Sequence, residues 1–429
     1  MHSKLKIIVT GLVGLHPLGG VAWDYLQYVI GLARLGHDVY YHEDTQAWPY
    51  NPVSKATTDD ASYSVAYLTN FFERYAPDLR ENWHYLHLQQ HSFGISRRKF
   101  DGVVRTCDLF INVSGANLIP EGLPQHCVKV FLDTDPGYNQ IVLSERPDWA
   151  EKVDRWCELV DAHDRHFTYA ENIYGPDCGV PRLKYRWITT RMPVVRSLWE
   201  ATAGVETLPS TPWTTVMSWN AFKSPLVYQG TEYKSKGAEF AKILSLPGRT
   251  RVPLRLAVGG ISSPFKSLSR RGWHNTYRVL SNVTQRIKFQ QLKWHGWQVV
   301  DGPSHTMTPE QYQSFIAGSR GEVSTAKHVY VALRTGWFSC RSACYLAAGR
   351  PAVVQDTGFS HVLPCGEGLL GFDTQAQAAA ALDRVQADYA RHREAAQALA
   401  ADHFDSGRVL ERFVDDAFTN SDSLQVGSA

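Results

Sequence analysis

The 429-residue chain is predicted to be an α/β protein built from two doubly wound parallel sheets. Short, continuous apolar runs recur along it, and each is followed by glycine or small polar residues, which is typical of buried parallel strands. Segments with apolar residues at helical spacing separate these runs. Because the length exceeds what one hydrophobic core supports, we expect two or three domains.

The chain opens with a strand, a turn and a helix. Residues 5–13 are predicted to form the strand and residues 14–20 a glycine-containing turn. Apolar residues then recur at helical spacing, and Gly36 ends the helix; these are Val21, Tyr25, Tyr28, Val29 and Leu32. A second strand is predicted at 39–41, so the segment is a β-loop-α-β unit of a parallel sheet.

Further buried strands are predicted in the first half, beyond a helical or mixed segment at about 62–105. They lie at 109–113, 128–132, 167–170 and 185–188. The polar stretches S-G-A-N and D-T-D-P-G follow the first two of them. Ligands of open parallel sheets sit outside the carboxyl ends of strands, so these loops are expected on one side of a cleft.

A second series follows a proline-containing stretch at 190–212, which is predicted to cross between domains. Strands are expected at 213–218, 254–258, 298–300 and 351–354, and helices at 235–245, 309–318, 340–348, 375–390 and 407–418. Residues 420–429 are predicted to be a tail. The predicted domains are 1–195, 196–405 and a C-terminal helix and tail at 406–429.

Composition excludes several classes of protein. Lys and Arg total 44 against 42 Asp and Glu, so no overall field draws the chain to nucleic acid or a membrane. The seven cysteines form no C-x-x-C pair, which favours reduced thiols and a cytoplasmic location over a disulfide framework. No apolar run reaches the roughly 18 residues of a membrane span.

The most informative segment is 319–372. A glycine-containing loop leads into a helix that is predicted to begin at Ser339, and Gly349 ends that helix. A buried strand at 351–354 then opens into a polar loop at 355–359. The bare N–H groups of such a helix start can bind an anion.

Residues 336–359, with the motif G-W-F-S-x-R-S-x-x-Y-L-A-A-G-R-P-A-V-V-Q-D-T-G-F, give the sharpest resemblance. Residues 294–413 resemble the carboxyl domain of GT-B nucleotide-sugar glycosyltransferases, and the amino half matches more loosely through L-G-G-V-A-W and F-L-D-T-D-P-G-Y. The resemblance implies two Rossmann-like domains facing across a cleft, with the C-terminal helix crossing back to the first.

The resemblance also implies a donor site for a nucleotide-diphosphate sugar. Its residues would be Gly19, Gly20, Lys234, Lys236, Trp337, Ser339, Arg341, Ser342, Gln355, Asp356 and Thr357. The helix start at Ser339 would receive the diphosphate, Arg341 and the two lysines would supply countercharge, and the loop at 355–357 would hold sugar hydroxyls. For Asp356 and Thr357 a tight turn is the alternative interpretation.

Catalysis would need a base for an acceptor hydroxyl. His16, in the turn after the first strand, is one candidate, because histidine titrates near neutral pH. Asp133 and Asp135 form an Asp-x-Asp at a strand end. GT-B relatives generally work without metal, so we expect this pair to bind acceptor or orient the base, with Asp24 and Glu43 as alternates. No cofactor or metal is expected, and two glutamates common in retaining relatives are missing, so the stereochemical outcome stays open.

Two other functions stay open from the sequence. Basic, aromatic-interleaved stretches occur at 182–196 and 266–297. The acceptor, otherwise a small molecule or glycan, could therefore be a hydroxymethylated DNA base, or the chain could be a nucleic-acid-binding relative without activity. The second function that stays open is that of an NAD-dependent oxidoreductase. Gly11 to Gly20 followed by Glu43 superficially matches a dinucleotide-binding glycine loop, although the spacing is not G-x-G-x-x-G.

Overall fold

The computed structural model describes residues 4–146, 153–218, 226–259 and 290–419. The strands are β1 (Lys6–Thr10), β2 (Asp38–Glu43), β3 (Tyr50–Asn51), β4 (Ala56–Thr57), β5 (Trp83–His87), β6 (His91–Gly94), β7 (Leu109–Val113), β8 (Val128–Asp133), β9 (Arg165–Thr168), β10 (Trp187–Thr189), β11 (Trp213–Ser218), β12 (Leu226–Tyr228), β13 (Thr231–Tyr233), β14 (Leu254–Gly259), β15 (Gln298–Asp301), β16 (Glu322–Ser324), β17 (Ala352–Gln355) and β18 (Leu369–Phe372). The α-helices are α1 (Gly19–Arg34), α2 (Ser62–Tyr75), α3 (Arg97–Val104), α4 (Tyr138–Glu145), α5 (Val153–Asp161), α6 (Arg196–Glu200), α7 (Lys236–Ala241), α8 (Gly302–Thr306), α9 (Pro309–Ala317), α10 (His328–Ala332), α11 (Cys340–Ala347), α12 (Gln375–Ala387), α13 (Tyr389–Leu399) and α14 (Ser406–Phe418).

The first lobe is built on an eight-stranded sheet with the order β10-β9-β8-β7-β1-β2-β5-β6. Its central strands are parallel, and Ile7, Ile8 and Val9 of β1 are fully buried because both faces of the sheet are covered. Helix α1 follows β1 directly, as the sequence predicts. The predicted β-loop-α-β entry is therefore confirmed.

The edge of this sheet differs from the expectation of a helical or mixed segment at 62–105. After α2, strand β5 pairs parallel with β2, and β6 folds back antiparallel on β5. Both faces of β5 are buried, including His84 and His87, whose rings find hydrogen-bond partners in Ser92 and Asp59. Because these histidines are polar, the sequence of β5 lacks the apolar pattern that predicts a buried strand.

The second lobe contains a six-stranded parallel sheet with the order β15-β14-β11-β16-β17-β18. Strand β11 spans the residues that the sequence predicts, and β14, β15 and β17 agree to within one residue at each end. Two parallel sheets with helices between their strands confirm the predicted fold class.

The chain passes between the lobes twice at one place. Val194 donates its N–H to the Phe404 carbonyl oxygen at 2.7 Å, and Ser406 donates to the Val194 carbonyl oxygen at 2.9 Å. Beyond this point α14 packs on α1 of the first lobe, where Gly31 leaves room for Leu410. The C-terminal helix therefore crosses back to the first lobe, as the resemblance implies.

Helix α10, which the sequence did not predict, joins the lobes. It is a five-residue helix of the second lobe, yet Val329 and Tyr330 are buried in one apolar cluster with Phe131 and Ile141 of the first lobe. The next residue after the helix, Leu333, belongs to the same cluster. The apolar residues of α10 are buried by residues that are distant in sequence. The local sequence pattern therefore gave no indication of this helix.

None of the helices in the four described ranges is long and apolar enough to cross a membrane.

Candidate active site

Helix α11 begins at the interface between the lobes. Ser339 occupies the position before its first residue, and its hydroxyl makes no capping hydrogen bond to the helix. The unpaired N–H groups of the first turn carry the positive end of the helix dipole. Ser339 is half-buried rather than enclosed by packed side chains. The helix start therefore stays accessible to a ligand.

Two cavities meet at this helix start. The recess, a narrow space of about 10 Å³, lies within the second lobe and is lined by Ser324, Thr325, Ala326, Trp337, Phe338, Ser339, Arg341, Ser342, Val354, Gln355, Thr357 and Phe359. The interlobe cavity, of about 120 Å³, is lined by Asp24, Tyr25, Val113, Ser114, Thr134, Tyr169, Met192, Trp337, Ser339 and Cys340. Trp337 and Ser339 line both, so a ligand crossing from one to the other passes these two residues.

Arg341 forms a buried ion pair. Its Nε donates to Glu322 Oε1 at 2.6 Å, and its two terminal nitrogens donate to the Val216 carbonyl and the Ser324 hydroxyl. The other carboxylate oxygen of Glu322 is buried without a hydrogen-bond partner. Three of the five N–H donors of Arg341 are therefore engaged at the end of the sheet, and Arg341 also lines the recess.

The two candidate lysines occupy different environments. Lys234 is exposed. Lys236 lies at the start of α7, where burial, together with repulsion from Arg341 and Lys327, lowers the pKa of its amine well below the usual range. Glu322 is the carboxylate that opposes this effect. Among the described residues, this is where positive charge is crowded next to the recess.

The loop after β17 is held by internal hydrogen bonds. Gln355 donates to Glu239 Oε2 at 2.7 Å and accepts from the Ala326 N–H. The Asp356 carboxylate accepts from the Gly358 N–H at 3.0 Å and the Ser360 hydroxyl at 2.7 Å, which is the tight-turn arrangement. Thr357 donates its hydroxyl to the Trp337 carbonyl oxygen at 2.5 Å. Gln355 and Thr357 line the recess, whereas Asp356 does not.

The glycines at the start of α1 contact the second lobe. A Cβ on Gly19 would overlap the Thr308 carbonyl oxygen and lie 2.8 Å from the Tyr312 Cβ, and one on Gly20 would lie 3.2 Å from the Tyr312 ring. Neither glycine lines the recess or the interlobe cavity. The structure thus places them in close packing between α1 and α9.

His16 and the Asp-x-Asp pair line neither cavity. His16 is exposed on the turn after β1. Asp133 is fully buried and accepts hydrogen bonds from Asn139, Gln140 and Thr168, and burial raises the pKa of its carboxyl to about 6.

Asp135, the other member of the pair, joins the lobes. Its two carboxylate oxygens accept from Lys327 and from the Tyr330 hydroxyl of the second lobe. Both oxygens of Asp135 therefore take part in a contact between the lobes.

Asp24 is the carboxylate of the interlobe cavity. It projects from α1 and keeps solvent-accessible surface, while the surrounding protein raises the pKa of its carboxyl to about 6. A hydrogen bond with the Cys340 thiol and the positive charge of Arg341 act in the opposite direction. Asp24 therefore faces the first turn of α11 from the opposite lobe.

The sequence did not identify the hydroxyl groups beside Asp24. Tyr25 and Ser114 are joined by a hydrogen bond of 2.9 Å, and Ser114 and Thr134 by one of 2.6 Å. Ser114 adopts a φ of +64°, which non-glycine residues rarely do outside functional or strained sites. The polar residues after β7 and β8 were expected at a cleft, but only the sheet places these two side chains in contact.

Neither a protein-family model nor a curated protein sequence matches the chain. Solved structures do resemble it. An α-glucosyltransferase in complex with UDP and a 13-mer DNA with a central A:G mismatch is 13% identical, with 97% of this chain and 100% of that one covered, at a TM-score of 0.52. HepE from Anabaena, in complex with UDP and glucose, is 11% identical over 96% of this chain and 99% of that one, at a TM-score of 0.50.

These likenesses extend over both lobes. They show that the chain has the GT-B fold of nucleotide-sugar glycosyltransferases.

Proposed function

We propose that this protein transfers a sugar from a nucleotide-diphosphate sugar to an acceptor hydroxyl. One observation carries the proposal: the open start of α11 lies where the recess and the interlobe cavity meet. The GT-B fold supports it, since both solved structures described above are complexes with UDP. UDP-glucose is accordingly the first donor to test.

The diphosphate would bind at the first turn of α11. The helix dipole contributes only about 0.3–1 kcal/mol, so charged groups must supply most of the affinity. Lys236 and Arg341 carry that charge, and the Ser339 hydroxyl is available as a further donor. In this scheme the protein neutralises the diphosphate without a metal ion.

Asp24 is the base that the geometry favours. It lines the cavity in which an acceptor would meet the donor at Ser339, whereas His16 lines neither cavity. A carboxyl group with a pKa of about 6 is deprotonated near neutral pH and still accepts a proton from a reacting hydroxyl.

The oxidoreductase alternative finds no support in the first lobe. The Glu43 carboxylate accepts from the backbone N–H groups of Gly14 and Leu15, both at 2.6 Å, and from the Tyr41 hydroxyl at 2.7 Å. An acidic residue that binds a ribose must keep its oxygens free for the sugar. Glu43 instead fixes the turn after β1.

Three arginines of the basic stretch 182–196 make contacts within the protein. Arg182 donates to the Ile173 carbonyl, Arg191 pairs with Glu171, and Arg196 pairs with Glu200. The other stretch, 266–297, lies mostly outside the described residues, which resume at 290.

Calorimetry tests the donor. The protein is titrated with UDP-, GDP-, TDP- and ADP-glucose, and binding of at least one in the micromolar to millimolar range is expected. If none binds, the proposed transfer reaction is wrong. Release of free nucleotide from the bound donor, followed with time, then shows turnover.

A further inference from the structure

The interlobe cavity has a chemical character of its own, and it differs from that of the recess. Asp24 is the charged side chain among its described lining residues, and no lysine, arginine or histidine is among them. Its volume is about 120 Å³, which is small, so a single ring rather than an extended ligand would fill it. Phosphate groups are bound through cations, so a phosphorylated ligand would be poorly matched to this wall.

Hydroxyl groups form a row along the first-lobe side. Ser114 shares one hydrogen bond with Tyr25 and another with Thr134, so three hydroxyl protons serve two hydrogen bonds. Whichever group donates in each bond, one hydroxyl proton is left over for a ligand, and oxygens along the row keep lone pairs. Burial raises the pKa of Tyr25, so its phenol stays protonated. Such a row can both donate to and accept from a polyol.

Ser114 is held in a costly conformation. Its φ of +64° favours glycine, and Gly115 follows with a φ of +60°. The Ser114 N–H donates to the Leu132 carbonyl oxygen at 2.9 Å, which fixes the bend. A glycine would fit this backbone with less strain, so the hydroxyl itself has a use there.

The remaining walls suit the faces of a ring. Val113, Met192, Tyr169 and Trp337 supply apolar and aromatic surface around the hydroxyl row. Aromatic side chains pack against the C–H faces of sugar rings while polar groups hold the hydroxyls at the ring edge. The combination of apolar walls, hydroxyl row and one carboxylate is selective for a neutral, hydroxyl-rich ring.

We infer that the interlobe cavity binds the acceptor, and that the acceptor is a neutral sugar presented to Asp24 by the Tyr25–Ser114–Thr134 hydroxyls. This inference rests on the proposed transfer reaction. In that reaction the acceptor hydroxyl oxygen forms a bond to the anomeric carbon, and Asp24 takes the proton of that hydroxyl. The bond between the anomeric carbon and the diphosphate oxygen breaks, and the nucleoside diphosphate leaves with its electrons.

The test measures sugar binding without the donor. Saturation-transfer NMR and calorimetry are run with the methyl glycosides of glucose, galactose and mannose, with the matching 6-phosphates, and with a DNA 13-mer containing hydroxymethyluracil. At least one methyl glycoside should bind, and its 6-phosphate should bind at least tenfold more weakly. Equal or tighter binding of the 6-phosphates or of the DNA would overturn the inference, as would binding of no glycoside.

Substitutions locate the site. Ser114→Gly and Thr134→Val should weaken glycoside binding at least tenfold and leave the affinity for UDP-glucose within twofold. Ser54→Gly, on the exposed β3–β4 hairpin, is the control and should change neither. Unchanged glycoside binding in both cavity variants would overturn the assignment. Glycoside binding without binding of any nucleotide sugar would instead refute the transfer reaction while leaving the cavity as a sugar site.

Discussion

Lys236 is the residue at which electrostatics and ligand binding are most directly linked. Burial and two neighbouring cations lower the pKa of its amine, so keeping the Lys236 amine protonated costs free energy. A diphosphate would relieve that cost. Charged hydrogen bonds contribute about 1.5–3 kcal/mol, so Lys236→Met should weaken UDP-glucose binding about 10- to 100-fold.

Lys234 provides the matched control, because it lies two residues away and is exposed. Lys234→Met should change the affinity less than twofold in the same calorimetric titration. An equal loss of affinity in the two variants would mean that general surface charge, and not the Lys236 site, attracts the donor.

Asp24 gives a prediction for the pH dependence of activity. Because its pKa is raised to about 6, the fraction of deprotonated base, and with it kcat/KM, should rise as the pH increases through 6 and level off above about 7. Asp24→Asn should lower kcat by about 10²- to 10⁴-fold and remove this rise. The profile is measured from pH 5 to 8 on wild type, Asp24→Asn and His16→Gln. A rise that persists in Asp24→Asn and vanishes in His16→Gln would make His16 the base.

At the scale of elements, continuous apolar runs predicted the central strands well. The strand predicted at 109–113 is β7, and the strand predicted at 213–218 is β11. Elements whose burial depends on distant residues were missed, such as β5, with its buried histidines, and α10, which is covered by the other lobe. The start of α11 was predicted, but the pairing of Arg341 with Glu322 was not, because it depends on how β16 lies beside the helix.

The contact of α1 with α9 gives a prediction for a single glycine. Alanine in place of glycine usually stabilises a helix by about 0.5–1 kcal/mol. At Gly19 the added methyl group would overlap the Thr308 carbonyl oxygen, so Gly19→Ala should instead lower the free energy of unfolding by about 1–3 kcal/mol. Gly102→Ala in α3 is the control, because nothing lies within 4 Å of the new methyl group.

Both glycine variants are measured by urea denaturation. Gly102→Ala should raise the free energy of unfolding by about 0.5–1 kcal/mol. A comparable gain for Gly19→Ala would show that α1 and α9 do not approach as closely as the structure has them.

For the whole molecule, the contact made by α10 and Leu333 is one of those that hold the lobes against each other. Leu333 packs where Gly137 and Gly179 of the first lobe leave space, so it belongs to the interface and not to either sheet. Leu333→Ala should weaken the contact between the lobes by about 2–5 kcal/mol and let them separate. Small-angle X-ray scattering would detect the separation as a larger radius of gyration. Leu382→Ala removes the same atoms from the core of the second lobe, where Leu382 is fully buried. It should lower the melting temperature and leave the radius unchanged below it. If Leu382→Ala expands the native protein as much as Leu333→Ala does, the expansion reports general loosening and α10 has no particular role in holding the lobes together.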